Sequence, residues 1–163
     1  SDPEHNMCSQ LHNPKDNASC GTDGPQSVAD CTTWFLELWE KQVKWLERQL
    51  AASDADWKIV VTHFPPEWQK ATWTSLWKAY GIDLIITGHR HDQEVVAEGQ
   101  DLPAYIVAGG GGGVTSEGPP DLSGHDDQYG FMDVTISRDE IKIYAISHGG
   151  VLRSTTKVSP RHA

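Results

Sequence analysis

The sequence predicts an α/β fold, and three observations carry that expectation. A strand–helix–strand run occupies residues 57–89, a long amphipathic helix precedes it, and several short strand-like segments follow it. The two strands of the central run, "WKIVVTH" (57–63) and "IDLIITGH" (82–89), are short and mostly apolar. That pattern suits parallel strands buried on both faces and joined by a crossover helix.

Each element has its own signal. Residues 1–27 are rich in Asn, Asp, Ser, Pro and Gly and read as an irregular arm or loop; residues 28–163 then form the domain proper. Ser27 followed by Asp30 resembles a capping box. The segment from Asp30 to Ser53 reads as a helix, with Phe35, Leu38, Trp39, Gln42, Trp45, Leu46 and Leu50 tracing one face. Glu37–Lys41 and Glu40–Lys44, four apart with the acid first, support it. Pro65 and Pro66 stop the first strand because they remove donors and fix φ. "ATWTSLWKAYG" (71–81) is a short helix that Gly81 is placed to end. Beyond His91, "QEVVAE", "AYIVAGG", "YGFMDVTIS", "EIKIYAISHGG" and "VLRSTTKVS" are strand candidates, with hairpin turns at 137–140 and 148–150. The glycines at 109–113 open a long loop.

Composition narrows the function. The chain of 163 residues has a net charge of −10, which disfavours a polyphosphate groove and so argues against nucleic acid as a partner. No apolar run is long enough to span a membrane. The first residue is Ser rather than Met, which leads us to expect a processed or partial chain. Three cysteines, Cys8, Cys20 and Cys31, lie near one end, and Asn17-Ala18-Ser19 is a glycosylation sequon. Together they favour a secreted or lumenal, disulfide-bonded glycoprotein. No Gly-x-Ser-x-Gly elbow and no phosphate-loop lysine motif occurs, and the cysteines lack zinc-ribbon spacing.

The chemistry concentrates at the strand ends. His89 and His91 stand two apart behind the second strand, and His63 closes the first. In extended chain, residues two apart share a side. In open α/β sheets, ligands bind at the carboxyl ends of strands. Neighbouring parallel strands would therefore bring three imidazoles into one locus. Neutral imidazoles suit a transition-metal ion better than they suit one another as cations. Arg90, between the two histidines, and Gly110, in the glycine run, are weaker candidates for touching a substrate.

"VVTHFPP" followed by "GIDLIITGHRH" resembles the last two motifs of the calcineurin-like metallophosphoesterases. "AYIVAGGGGG", "YGFMDVTIS" and "IKIYAISHGGVLRSTTKVSPR" are similar to the carboxyl-terminal strands of purple, tartrate-resistant acid phosphatases, so the resemblance covers roughly residues 43–161. It implies half of a mixed β-sandwich flanked by helices. It also implies a cofactor of two metal ions (Fe, Zn or Mn), with His63 and His89 on one ion and His91 on the other. Such ions lie about 3.5–4 Å apart and clamp a phosphoryl group. The family's earlier motifs, Asp-x-His, Gly-Asp and Gly-Asn-His, have no counterpart here, and residues 64–88 hold no histidine, so no catalytic acid is assignable. The expectation is a metal-dependent phosphate ester hydrolase, represented by its carboxyl-terminal part. An amino-terminal segment or partner chain would complete it. The alternative is a binding or assembly domain that keeps the fold without catalysis.

Overall fold

The computed structural model describes residues 6–13, 21–111, 123 and 129–161. The chain divides into two compact units, Ser1–Ala51 and Ala52–Ala163. Asn17 and Cys20 lie outside the described residues, as do His5, His125, Asp126, Asp127 and His162.

The first unit is a turn-rich segment followed by α1 (Val28–Ala52). The cap follows its sequence pattern with a one-residue offset. Asp30 donates its backbone N–H to Ser27 Oγ at 3.1 Å, while the Asp30 carboxylate accepts from the Gln26 N–H at 3.0 Å rather than from Ser27. A disulfide between Cys8 and Cys31 ties the preceding segment to the first turn of the helix. The expected apolar stripe is only partly covered. Leu50 is buried, whereas Phe35 and Trp45 are 39% and 56% exposed. Periodicity specifies the helix; it does not specify what covers each position of the stripe.

The second unit is a two-sheet sandwich. One sheet has the order β1-β2-β4-β3, built from β1 (Ile59–Val61), β2 (Leu84–Thr87), β3 (Gln93–Val96) and β4 (Ala104–Ala108). β1 pairs parallel to β2 and β2 parallel to β4, while β3 runs antiparallel to β4. The other sheet is the antiparallel meander β5 (Gly130–Ile136), β6 (Ile141–Ser147) and β7 (Leu152–Val158). Its two hairpin turns fall where the sequence places them: Ser137 N–H donates to the Glu140 carbonyl, and Gly150 N–H to the Ser147 carbonyl.

The core lies between the sheets. Leu84, Ala104 and Ile106 of the first meet Ile141, Ile143 and Val158 of the second, and Trp57, Ile59, Ile86, Val95, Met132 and Val134 pack around them. β6 alternates strictly, burying Ile141, Ile143, Ala145 and Ser147, because one face meets the core. β4, between β2 and β3, is buried on both faces from Ala104 to Val107, as strands of a sheet covered on both sides are. Gln93 joins the sheets by donating Nε2–H to the Ile146 carbonyl at 3.1 Å.

The crossover from β1 to β2 is a 3₁₀ turn (Pro66–Gln69) running into α2 (Lys70–Tyr80), which buries Trp73, Leu76 and Trp77. Gly81 adopts φ 69° and ends α2 by donating its N–H to the Trp77 carbonyl, a conformation glycine takes without a Cβ penalty. Asp83 secures the crossover. Its carboxylate accepts from the backbone N–H of Lys58 at 2.8 Å and of Arg161 at 3.0 Å, so a buried charge is satisfied by main-chain donors. Arg161 also stacks on Trp77, with 4.0 Å between guanidinium carbon and ring centroid.

Ile143 is wholly buried at the centre of the inter-sheet core. Ile143→Ala should therefore destabilise the fold by about 2–5 kcal/mol, read as a lower urea midpoint with an unchanged m-value. A loss under about 1 kcal/mol would mean that the two sheets do not pack face to face.

Candidate functional site

The site grows from the β1–β2 pairing. Register places Val61 opposite Ile86, and the hydrogen bonding continues past the strands. Thr62 N–H donates to the Ile86 carbonyl at 3.0 Å, and Gly88 N–H donates to the His63 carbonyl at 3.0 Å. The loop after β1 is thus sewn to the loop after β2 at the residues that matter. His63 and His89 consequently meet, with ring centroids 5.3 Å apart and planes 75° to one another.

The local conformation differs from the extended chain expected between His89 and His91. His89 takes φ 66°, and residues 89–92 bend before β3 begins. Left-handed backbone costs a residue with a Cβ roughly 1–2 kcal/mol, so the fold holds His89 there against its own preference. The turn therefore falls on His89 itself. His91 is exposed after the bend, and its charge still reaches His89.

Gly109 explains how the bend is held. A Cβ at this position would lie 1.7 Å from the Arg90 carbonyl oxygen and 3.2 Å from His91 Cα. Only glycine lets the end of β4 press against the histidine loop, and its N–H donates to the Asp92 carbonyl at 2.9 Å. Gly110, singled out in the sequence for substrate contact, is buried, and its carbonyl accepts from the Gly130 N–H at 3.1 Å.

Arg90 is held by carboxylates. It pairs with Glu94 and lies 4.0 Å from Glu67. Glu67 also accepts a hydrogen bond from the hydroxyl of Tyr105, whose titration is pushed upward by burial first and by Glu67 second. That hydroxyl stays a donor, and it fastens the turn after His63 to the centre of the sheet.

Two aromatic residues that sequence reasoning passed over complete the surroundings. Phe64 and Trp68 stand 4.5 Å and 4.9 Å from the His89 ring, and 5.4 Å from each other. The di-proline between them was a signal of rigid presentation, but their contact with His89 is tertiary. The pKa of His89 is lowered from the ordinary histidine value, by burial first and then by His63, His91 and Arg90. The neutral imidazole, with a lone pair to offer, is favoured.

A resident metal ion asks for more. Imidazole nitrogens suit Zn, Fe or Mn, but a closed site takes about four donors. Among the described residues, no group of three or more His, Cys, Asp or Glu side chains is arranged to hold one. His63 and His89 bring two imidazoles together, fewer donors than such a site takes.

Residues 19–93, a stretch containing all three histidines, match a family model described as calcineurin-like phosphoesterase. Among curated proteins, purple acid phosphatase 4 of Arabidopsis thaliana is 29% identical over 112 residues, covering 60% of this chain and 33% of that protein. A solved structure titled "GAP50 the anchor in the inner membrane complex of Plasmodium" superposes with a TM-score of 0.59 at 24% identity, over 77% of this chain and 44% of that one. The chain spans a third of the curated relative's length, and the structural likeness establishes the fold.

The glycine contacts order three substitutions. Gly109→Ala should cost roughly 1–3 kcal/mol through overpacking and shift the His89 and His91 resonances. Gly88→Ala meets only ordinary contacts, with His63 Nδ1 at 3.9 Å, and Gly111→Ala meets nothing within 4 Å. Both should stay within about 0.5–1 kcal/mol of the parent. Denaturation midpoints and imidazole spectra read the order. Equal effects at all three positions would refute the close approach.

Proposed function

From the match of residues 19–93 to the calcineurin-like phosphoesterase model, we propose that the chain is part of a metallophosphoesterase and supplies His63, His89 and His91 to the metal site of a phosphate ester hydrolase. The observation that carries the reading is the contact of His63 with His89 at the ends of two hydrogen-bonded parallel strands. The family relation supports the reaction class, and the likeness to a purple acid phosphatase supports an acid-phosphatase type. Divalent or trivalent ions (two of them, Fe, Zn or Mn) would supply Lewis-acid polarisation of a phosphoryl oxygen. The chain's own residues have three tasks in this reading. His63 and His89 present neutral nitrogens to one ion, and His91 presents its nitrogen to the second. The Gly88–His63 hydrogen bond and Gly109 hold those rings in place. Arg90, already engaged with Glu94, orients the loop and lines the approach of an anionic substrate.

The remaining ligands and the proton donor are assigned to a segment or partner chain outside these residues. The half-site character of the imidazole pair supports that assignment. The same observation favours a second reading, a non-catalytic binding or assembly domain that keeps the fold. A secreted or lumenal location is consistent with the Cys8–Cys31 disulfide. No helix among the described residues is long and apolar enough to cross a membrane.

Two measurements test the reading. Calorimetric titration with Zn²⁺ or Mn²⁺ should show binding that His63→Ala or His89→Ala weakens about tenfold or more. Hydrolysis of phenyl phosphate, assayed with metal and the completing segment, should disappear with a chelator. Metal binding without hydrolysis would favour the assembly domain. Absence of metal binding to the completed protein would defeat the metallohydrolase.

A further inference from the structure

We propose that Phe64 and Trp68 form an aromatic platform beside the imidazole pair that receives the aryl group of a phosphate monoester. This inference rests on the phosphoesterase reading above and names the substrate class of that same site. The two rings are fixed before any ligand arrives. Pro65 and Pro66 between them are buried, and Trp68 donates its backbone N–H to the Pro65 carbonyl at 3.2 Å. Glu67, also between them, is held by the Tyr105 hydroxyl. Phe64 and Trp68 lie 5.4 Å apart with their planes tilted by 34°, and both contact His89. They are nevertheless 46% and 62% exposed. Two large rings held rigidly and left about half exposed offer contact area at little ordering cost.

Their position selects the occupant. Both rings touch the imidazole of His89 directly, so they border the place where the reading puts the phosphoryl group. An aryl ester carries its ring one oxygen away from phosphorus, which suits rings that adjoin His89, whereas a ribose sets a nucleobase several atoms farther from its phosphate. Glu67 and Glu94 share the single Arg90 guanidinium, which leaves one net negative charge beside the rings, so attraction for the phosphate falls to the metal ions of the proposed site. The platform itself is uncharged, so selectivity comes from shape and stacking.

The test uses the completed protein, this chain together with the completing segment, with Zn²⁺, titrated in parallel with phenyl phosphate, methyl phosphate and adenosine 5′-monophosphate, and followed by NMR. The Trp68 indole N–H is assigned by its loss in Trp68→Ala. Phenyl phosphate should shift that resonance and bind at least about threefold more tightly than methyl phosphate, the size of effect expected of one aromatic contact. Trp68→Ala and, as a milder second variant, Phe64→Leu should abolish the preference, so that phenyl and methyl phosphate bind within about twofold of each other. Equal affinity for the two esters in the parent overturns the platform and leaves the phosphoesterase reading standing. Phenyl phosphate binding that depends on Trp68, with no methyl phosphate binding, supports the platform and defeats the phosphoesterase reading. Tighter binding of adenosine 5′-monophosphate than of phenyl phosphate overturns the aryl assignment, and failure of all three ligands to bind overturns the platform.

Discussion

One hydrogen bond organises the candidate site: the Gly88 N–H given to the His63 carbonyl, just beyond the last pair of the β1–β2 ladder. Parallel pairing alone would leave the two strand ends free to splay once the strands stop. This bond carries the pairing into the loops, so the imidazole after one strand faces the imidazole after the other. Everything proposed about metal and phosphate depends on that contact. It is a non-local arrangement, since the α2 crossover separates the two histidines in sequence; β2 beneath His89 is mostly buried, whereas β1 beneath His63 is an edge strand with Val61 74% exposed.

The site's second feature is a strained residue held by its neighbours. His89 sits at positive φ with Phe64 and Trp68 against its ring, and Gly109 presses on the following peptide. Strain of this kind persists where surrounding structure over-determines it, and such positions cluster at functional sites. The clamping elements belong to one sheet: Gly109 follows β4, Tyr105 lies within β4 and holds Glu67, and β4 pairs with both β2 and β3. The inter-sheet core rests on Ile106 of the same strand. The sandwich thus fixes the loops through its central strand.

Much of the fold was legible in the sequence. Apolar alternation located β6, and short apolar runs located β1, β2 and β4. Gly81 announced the end of α2, and the parallel pairing followed from strand–helix–strand order. The exposure of Phe35 and Trp45 was not legible, because a stripe of apolar residues says nothing about what covers each of them. At the site, the meeting of His63 with His89 was legible from the strand ends. The bend at His89 was not, since an i, i+2 argument assumes extended backbone. Gly109 was visible only as part of a glycine run. Its role depends on a contact with Arg90 made in three dimensions. Phe64 and Trp68 were passed over in the sequence, because their contact with His89 needs the β1–β2 register.

The most direct test of the imidazole contact is an NMR titration of the metal-free chain, following the ring carbons of each histidine. His89 should titrate below the ordinary value of 6.5. Its pKa should rise toward that value in His63→Ala, because removal of a neighbouring imidazole relieves the repulsion that burial leaves in place. A group whose folded pKa is depressed contributes stability that is present above its unfolded pKa and lost as pH falls through the folded one, so the parent should weaken below about pH 6.5 more steeply than His89→Asn. A His89 that titrates normally and ignores the substitution at residue 63 would show that the two strand ends do not bring these rings together.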